Sequence, residues 1–459
     1  MSDQTQTLGV TDRSRFAAGM GRCPRLRYLE YHSGPDGYGQ KRKSTSIPLA
    51  TGGRCHEAIT DSILSTDHAK SIRGAVAKYK REAAAGGLSD LLAPIEKAEL
   101  QWLIDEQACL IEGMAWGFML HIYPWIQSEF TILHVEHEEE LVLGCTCGLD
   151  EAGTPEDHQA RACEGTVLTT RPDMILRAKS DNTLCILDLK TAGGINASWR
   201  RQWEDEVKQL GLGAAVAEIR MGEPIHHAYI IGLNKGPRPH SYNQATGLKD
   251  GPKRQDSRFC YAYYRPAGPP FEQEDWKTSY HYKDEDGKNR QATKSKGYEK
   301  IALWEADLGK ELGDQSASIE YWVKHKLSTE EIKSQYEVVG PLPIARHLVK
   351  HLKAALGPHE AEWRKNIYTI WAACQANAPG SDEWMEVLDE LCPQSWECYR
   401  YSGYCAYREI CKESVGWRGF FTGEHEGYGP RRPHHAREMA EGTARGVVFP
   451  SDFGEEDEG

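Results

Sequence analysis

The sequence has no long unbroken hydrophobic run. Its most apolar stretch, Cys109 to Ile126, is interrupted by Glu112, His121 and Pro124. A membrane-spanning helix needs about 20 consecutive apolar residues, so this stretch reads as a buried helix. The opening residues, Met1 to Gly9, are polar and lack the apolar run of a secretory leader. Positive charge is also scarce: 55 Lys and Arg stand against 68 Asp and Glu, a net charge of −13. That balance argues against a generic nucleic-acid coat, although charge can still be local. The basic clusters are Arg22, Arg25, Arg27, then Lys41, Arg42, Lys43, and later Lys249, Lys253, Arg254, Arg258. Part of the acidic excess lies in Asp452 to Glu458, expected to be a disordered end.

What is present is length, glycine and cysteine. At 459 residues the chain can bury a full core and divide into more than one domain. Its 44 glycines, 22 prolines and mean hydropathy of −0.62 fit a soluble protein with long loops. Thirteen cysteines in a chain of cytosolic character point to metal binding more than to disulfides.

Residues 1–44 read as an arm holding Cys23 in a basic and aromatic setting. A helix opens at Thr51-Gly52-Gly53-Arg54-Cys55-His56-Glu57, with His56, Ile59 and Ile63 on one face. Taken alone, such a histidine reads as a core residue. Residues 66–127 are expected to be helical, followed by strands at Phe130 to Glu136 and Glu140 to Gly144. The insertion from Cys145 to Glu164 holds Cys145, Cys147, His158 and Cys163. A small zinc site and an exposed loop both fit; the loop is preferred, because Cys-x-Cys is not the usual knuckle spacing.

Next, Arg171-Pro172-Asp173 precedes Met174 to Arg177, the turn signal Ser180-Asp181-Asn182, and Leu184 to Leu187 leading into Asp188-Leu189-Lys190. This reads as a hairpin. Side chains alternate along a strand, so Asp188 and Lys190 share a face, and Asp173 on the neighbouring strand can reach the same spot. Two carboxylates and a lysine at one point suit Mg2+ or Mn2+ with an ammonium beside the attacking water or phosphate. A loop over Thr191 to Gly194, a helix over Ser198 to Arg220 with the stripe Trp203, Val207, Leu210, Ala214, Ala217, and a strand at His227 to Leu233 follow. Gln209 sits at the edge of that stripe. The order predicts an α/β core with helices on a mixed sheet.

Residues 237–300 mix Pro, Gly, Lys and Tyr, with one candidate strand at Phe259 to Tyr264. They suit single-strand binding by stacking and phosphate contacts, and equally an ordinary insertion. Residues 300–385 return to helix, clearest at Ile344 to Leu356 and Glu360 to Ala378. Then Cys392, Cys398, Cys405 and Cys411 crowd among aromatic residues, the ligand set of a zinc or iron–sulfur site.

In order, these elements resemble the P-D-(D/E)-x-K nuclease superfamily, in its RecB-like, iron–sulfur form, which includes CRISPR-associated adaptation nucleases and phage exonucleases. The resemblance runs from Cys23 to Cys411 and leaves residues 237–385 uncovered. It implies a restriction-endonuclease-like core over 45–236, an insertion over 237–300, a helical region over 301–385, a cysteine region over 386–425 and an acidic tail over 426–459. It implies that His56, Asp173, Asp188 and the Leu189 carbonyl hold Mg2+ or Mn2+. It makes Lys190 and Gln209 the residues that handle the nucleophile or a phosphate. Gln209 matches the first residue of a Gln-x-x-x-Tyr motif, but the tyrosine slot holds Gly213. It implies a 4Fe-4S cluster on Cys23, Cys398, Cys405 and Cys411, closing the cysteine region onto the arm, with Cys392 or Cys398 as the open choice. The expected activity is DNA exonuclease action on ends or single strands, in the cytoplasm of a bacterial or phage-infected cell. Partner proteins of recombination, defence or CRISPR adaptation are expected. The alternative is a non-catalytic iron–sulfur DNA-binding or assembly subunit.

Overall fold

The computed structural model describes residues 9–12, 14–15, 23–42, 47–87, 94–145, 147, 154–160, 165–205, 208–235, 280–283, 289–292, 319–325, 329–333, 335–378, 381–394, 399–400, 403–405, 407–412, 417–433, 435–444 and 447. The strands that position the site are β1 (Gly9–Asp12), β2 (Phe130–Val135), β3 (Glu139–Leu143), β4 (Thr166–Thr170), β5 (Met174–Ala178), β6 (Leu184–Ala192), β7 (Ile225–Asn234) and β8 (Tyr336–Pro343). Five form a mixed sheet in the order β8-β7-β6-β5-β2. Only β6 and β7 run parallel; the other neighbours are antiparallel. A smaller sheet, β1-β4-β3, was not foreseen; in it β1 runs parallel to β4.

The β5–β6 hairpin lies where the sequence put it, with Met174 opposite Leu187 and Arg177 opposite Leu184. Its turn chemistry is local. Asn182 takes φ +62°, which Asn tolerates better than most residues. The Asp181 carboxylate accepts the Thr183 N–H at 3.1 Å. β6 then runs further than expected: Thr191 and Ala192, read as loop, pair with Leu233 and Asn234.

β6 is buried on both faces, as strands covered by helices on each side are. Cys185, Leu187 and Leu189 face a core shared with residues of α2 (Ile47–Leu64), α3 (His68–Gly87) and α4 (Pro94–Gly117), which follow α1 (Pro24–Tyr31) in the chain. Leu184 and Ile186 face a second core. There they meet Trp203 of α5 (Ala197–Asp205) and Leu210, Ala214 and Ala217 of α6 (Lys208–Met221). Helix is described on both sides of residues 206–207, within the single helix expected over Ser198 to Arg220, and these stretches form the crossover that a parallel β6–β7 pair needs. Val207 lies outside the described residues. By alternation, Asp188 and Lys190 continue the Leu184–Ile186 row.

Tyr336–Pro343 corrects the helical reading of residues 301–385: it is the edge strand β8. Gly340-Pro341 masks it in the sequence, and the pairing shifts between Val339 and Leu342. An edge strand tolerates a proline that a central strand would not. The two helices expected next are one, α7 (Arg346–Ala376), with Pro358 inside it. The tail expected to be disordered from residue 426 is partly built: Tyr428–Pro430 pairs with Gln40–Arg42, and α9 (Ala436–Ala444) follows. Asp452 to Glu458, the candidate strand Phe259 to Tyr264, and Lys249, Lys253, Arg254 and Arg258 lie outside the described residues. In the 237–300 insertion the described part is an antiparallel pair, Tyr280–Lys283 with Asn289–Ala292. Among the described residues no helix is long and apolar enough to cross a membrane.

The arm packs onto the C-terminal region. Tyr28 and Leu29 of α1 share an aromatic core with Trp384 and Leu388 of α8 (Asp382–Leu391) and with Tyr407, Trp417, Phe420 and Tyr428. This corrects the reading of Arg25 and Arg27 as a basic patch. Arg27 forks onto Glu360, Nη1 to Oε1 at 2.9 Å and Nη2 to Oε2 at 2.5 Å, with its guanidinium 4.4 Å from the Trp363 ring centre. Arg25 donates to the Cys392 carbonyl at 2.7 Å and to Asp389. Buried guanidiniums must be paired, so both charges are neutralised internally. Arg22 lies outside the described residues.

Burial works against the Glu360 charge, but hydrogen bonds from His359 and Arg27 outweigh it and hold the carboxyl down to about 2. A depressed folded-state value means stability that is present above the ordinary value of 4.5 and is lost as pH falls toward 2. Acid titration of unfolding should show Glu360→Gln destabilised by roughly 3 kcal/mol at neutral pH, with the gap to the parent protein closing below about pH 4. A gap independent of pH would refute the ion-pair account.

Candidate metal centre

Gly52 decides how closely α2 can approach the sheet. A Cβ at that position would stand 2.6 Å from Thr191 Oγ1 and 3.4 Å from Lys235 Nζ. Without it, the helix lies against the end of β6. The helix begins at Ile47, earlier than the sequence suggested. His56 follows Gly52 by four residues, one turn on, and so reaches the same place. Its Nδ1 stands 3.7 Å from Asp173 Oδ2. Asp173 sits in the residue before β5, and its carboxylate accepts the Leu189 N–H. Asp188 and Lys190, two apart on β6, pair with each other. The Lys190 Nζ also lies 5.7 Å from the centre of the Trp203 ring.

Glu136 is the candidate ligand that sequence reasoning missed. It was read as the last residue of a strand, but β2 ends at Val135. Glu136 has φ +48°, a left-handed geometry uncommon away from glycine. Its N–H donates to the Asp173 carbonyl at 3.0 Å. Its carboxylate pairs with Arg171 Nε at 2.9 Å. The ligand atoms of His56, Glu136 and Asp173 all lie within 4.8 Å of one another. The signal in the sequence was weak: a glutamate ending an apolar strand is ordinary, and only the fold brings it beside Asp173.

Three carboxylates in so small a space repel one another. Burial holds Asp173 well above the usual carboxylate range, and the Asp188 charge adds to this while Lys190 opposes it. Burial raises Glu136 too, against the Arg171 charge and with the Asp188 charge. Burial pushes the His56 imidazole down to about 4, with the Lys190 charge helping and the Asp188 charge opposing. The imidazole is therefore neutral at physiological pH and keeps a lone pair. One neutral imidazole beside crowded carboxylates is a donor set that fits a hard or borderline divalent cation.

A cavity of about 550 Å3 reaches this group through Asp173, Asp188 and Lys190; His56 and Glu136 are not among its lining residues. Arg171, Asp12, Glu30, Tyr31 and His435 also line it. Cavities of this size hold small ligands such as a nucleotide. Leu210 and Gly213 of α6 border it. Gln209 lies on the same helix, and its side chain lies outside the described residues. Gly213 has no side chain, which leaves room in that part of the cavity.

The cysteines are placed as follows. Cys23 caps the N-terminus of α1. Cys405 and Cys411 pack against the aromatic core that α1 completes. Cys392 is fully buried in that core, and burial pushes its thiol up to about 12. Cys398 lies outside the described residues, as does Cys163. Cys145, Cys147 and His158 correct the exposed-loop reading: they converge, and His158 is fully buried.

No protein-family model matches the chain, and no curated protein matches it.

Proposed function

We propose that this chain is a metal-dependent deoxyribonuclease with a restriction-endonuclease-like core, acting as an exonuclease on DNA ends or single strands. The observation that carries the reading is the convergence of His56, Glu136 and Asp173 from three separate segments, with Asp173 and the neighbouring Asp188–Lys190 pair lining one cavity. His56, Glu136, Asp173 and Asp188 would hold Mg2+ or Mn2+, with the Leu189 carbonyl as a further oxygen ligand. Bound there, the cation supplies an activated water and offsets phosphate charge.

The chain's own side chains do the rest. Lys190, oriented by Asp188, faces the attacking oxygen and the charge that builds on the phosphate. Arg171 at the cavity wall offers a cation to a neighbouring phosphate. Gln209 is the proposed positioner of the nucleophile. The cavity, about 550 Å3, is of a size for one nucleotide at a strand end, which favours exonuclease action.

Cys23, Cys398, Cys405 and Cys411 are the proposed 4Fe-4S ligands. Support comes from the packing of the Cys23 helix into the core that Cys405 and Cys411 border. The cluster would staple the arm to the C-terminal region, so its loss should cost folding before chemistry.

The test is direct. Protein stripped of divalent cations is mixed with end-labelled single-stranded and duplex DNA, and Mn2+ or Mg2+ is then added. Shortening of the label only after metal addition is expected. Intact DNA with both metals, from protein that is folded and binds Mn2+, overturns the proposal. Iron and sulfide analysis of anaerobically purified protein, with Cys405→Ala as comparison, tests the cluster.

A further inference from the structure

We propose that Cys145, Cys147 and His158 form a structural zinc site at the far end of the β3–β4 hairpin. The three ligand atoms form a tight triangle: Cys145 Sγ to Cys147 Sγ 3.1 Å, Cys145 Sγ to His158 Nδ1 3.2 Å, and Cys147 Sγ to His158 Nδ1 3.3 Å. Two sulfurs that share neither a bond nor a metal normally stand farther apart. A triangle of this size has a circumscribed radius of about 1.9 Å, so a point a little over 1 Å off its plane meets zinc–sulfur distances of about 2.3 Å and a zinc–nitrogen distance of about 2.1 Å. The ligand–zinc–ligand angles there are about 85–95°, and opening the triangle by about half an ångström would bring them to tetrahedral. The imidazole is fully buried and its ring nitrogen aims at both thiols. Soft thiolates with an imidazole select zinc over Mg2+ or Mn2+.

The local sequence builds this arrangement. Gly144 turns the chain out of β3 with φ +66°. His158 rides on the short helix Pro155–Ala160, whose start Asp157 ties down by accepting the Thr154 hydroxyl at 2.8 Å. Val142 and Val167, adjacent on the paired strands, form the apolar floor on which both thiols rest. Arg437 of α9 bridges Glu140 of β3 and Glu156 of the short helix.

The site is separate from the candidate catalytic centre. Leu143 pairs with Thr166 at the zinc end of the hairpin, while Glu139 pairs with Thr170 at the end near Glu136 and Arg171. Four residues of strand separate the two ends by about 13 Å. The site therefore fixes the loop joining β3 to β4 and does not touch substrate. It stands whether or not the chain cleaves DNA.

Zinc content is measured on the full chain after dialysis against metal-free buffer without chelator. The parent protein should retain one more zinc per chain than Cys147→Ser or His158→Ala. Each variant should also lose about 5 °C or more of Tm, with Mn2+ binding at the other centre unchanged. Should the variants fail to fold, the parent protein decides the question. Cys145 and Cys147 should resist iodoacetamide and become alkylated once a strong thiol-competing zinc chelator is added, as mapped by peptide mass spectrometry. Equal zinc in parent and variant, equal alkylation with and without chelator, or iron in place of zinc at these residues each overturns the assignment.

Discussion

Lys190→Ala is expected to lower DNA cleavage by about 10³-fold while Mn2+ binds as tightly as before or more tightly. The two effects separate because the ammonium is not a ligand. It pairs with Asp188 and lies over the Trp203 ring, facing the place where phosphate charge would develop. Its removal takes a positive charge from beside the carboxylates, which favours the cation. It also takes away the group proposed to stabilise the transition state. Single-turnover cleavage with calorimetric Mn2+ titration reads both quantities. Cleavage retained above about a tenth of the parent rate would remove Lys190 from the mechanism.

Asp173→Asn should do something less intuitive: abolish cleavage and stabilise the metal-free protein. Burial and the Asp188 charge raise the Asp173 carboxyl well above its ordinary range. A raised carboxyl binds its proton more tightly folded than unfolded. Its contribution is therefore full below the ordinary carboxylate value and is lost as pH climbs through the folded one. At neutral pH, without metal, the carboxylate works against the fold. The asparagine keeps an oxygen to accept the Leu189 N–H and removes the repulsion. In EDTA, Tm should rise by a few degrees, corresponding to about 1–2 kcal/mol. In Mn2+ the order should reverse, since the parent protein gains about 2.7 kcal/mol at a metal concentration 100 times its Kd. Equal Tm values with and without Mn2+ in both proteins would show that Asp173 is not at a metal site.

The hairpin was legible because its information is local. Leu184 to Leu187 is a short apolar run of the kind a strand buried on both faces shows, and Ser180-Asp181-Asn182 is a turn on chemistry alone. From that, the shared face of Asp188 and Lys190 followed without any tertiary knowledge. β8 was not legible, because an edge strand that carries Gly340-Pro341 does not look like a strand until β7 pairs with it.

Charge was the least transferable signal. Arg25 and Arg27 look like a nucleic-acid contact in the sequence, yet Asp389 and Glu360, more than three hundred residues away, neutralise them. Glu136 had no distinguishing pattern; its backbone geometry and its place beside Asp173 come from packing. The same holds for Cys145, Cys147 and His158, whose spacing matched no familiar knuckle. The amino-acid order by itself determined which strands alternate, where the hairpin turns and which residue types can bear a cation. Tertiary structure alone decided which carboxylates meet, because repulsion between them acts only once the fold has closed the distance.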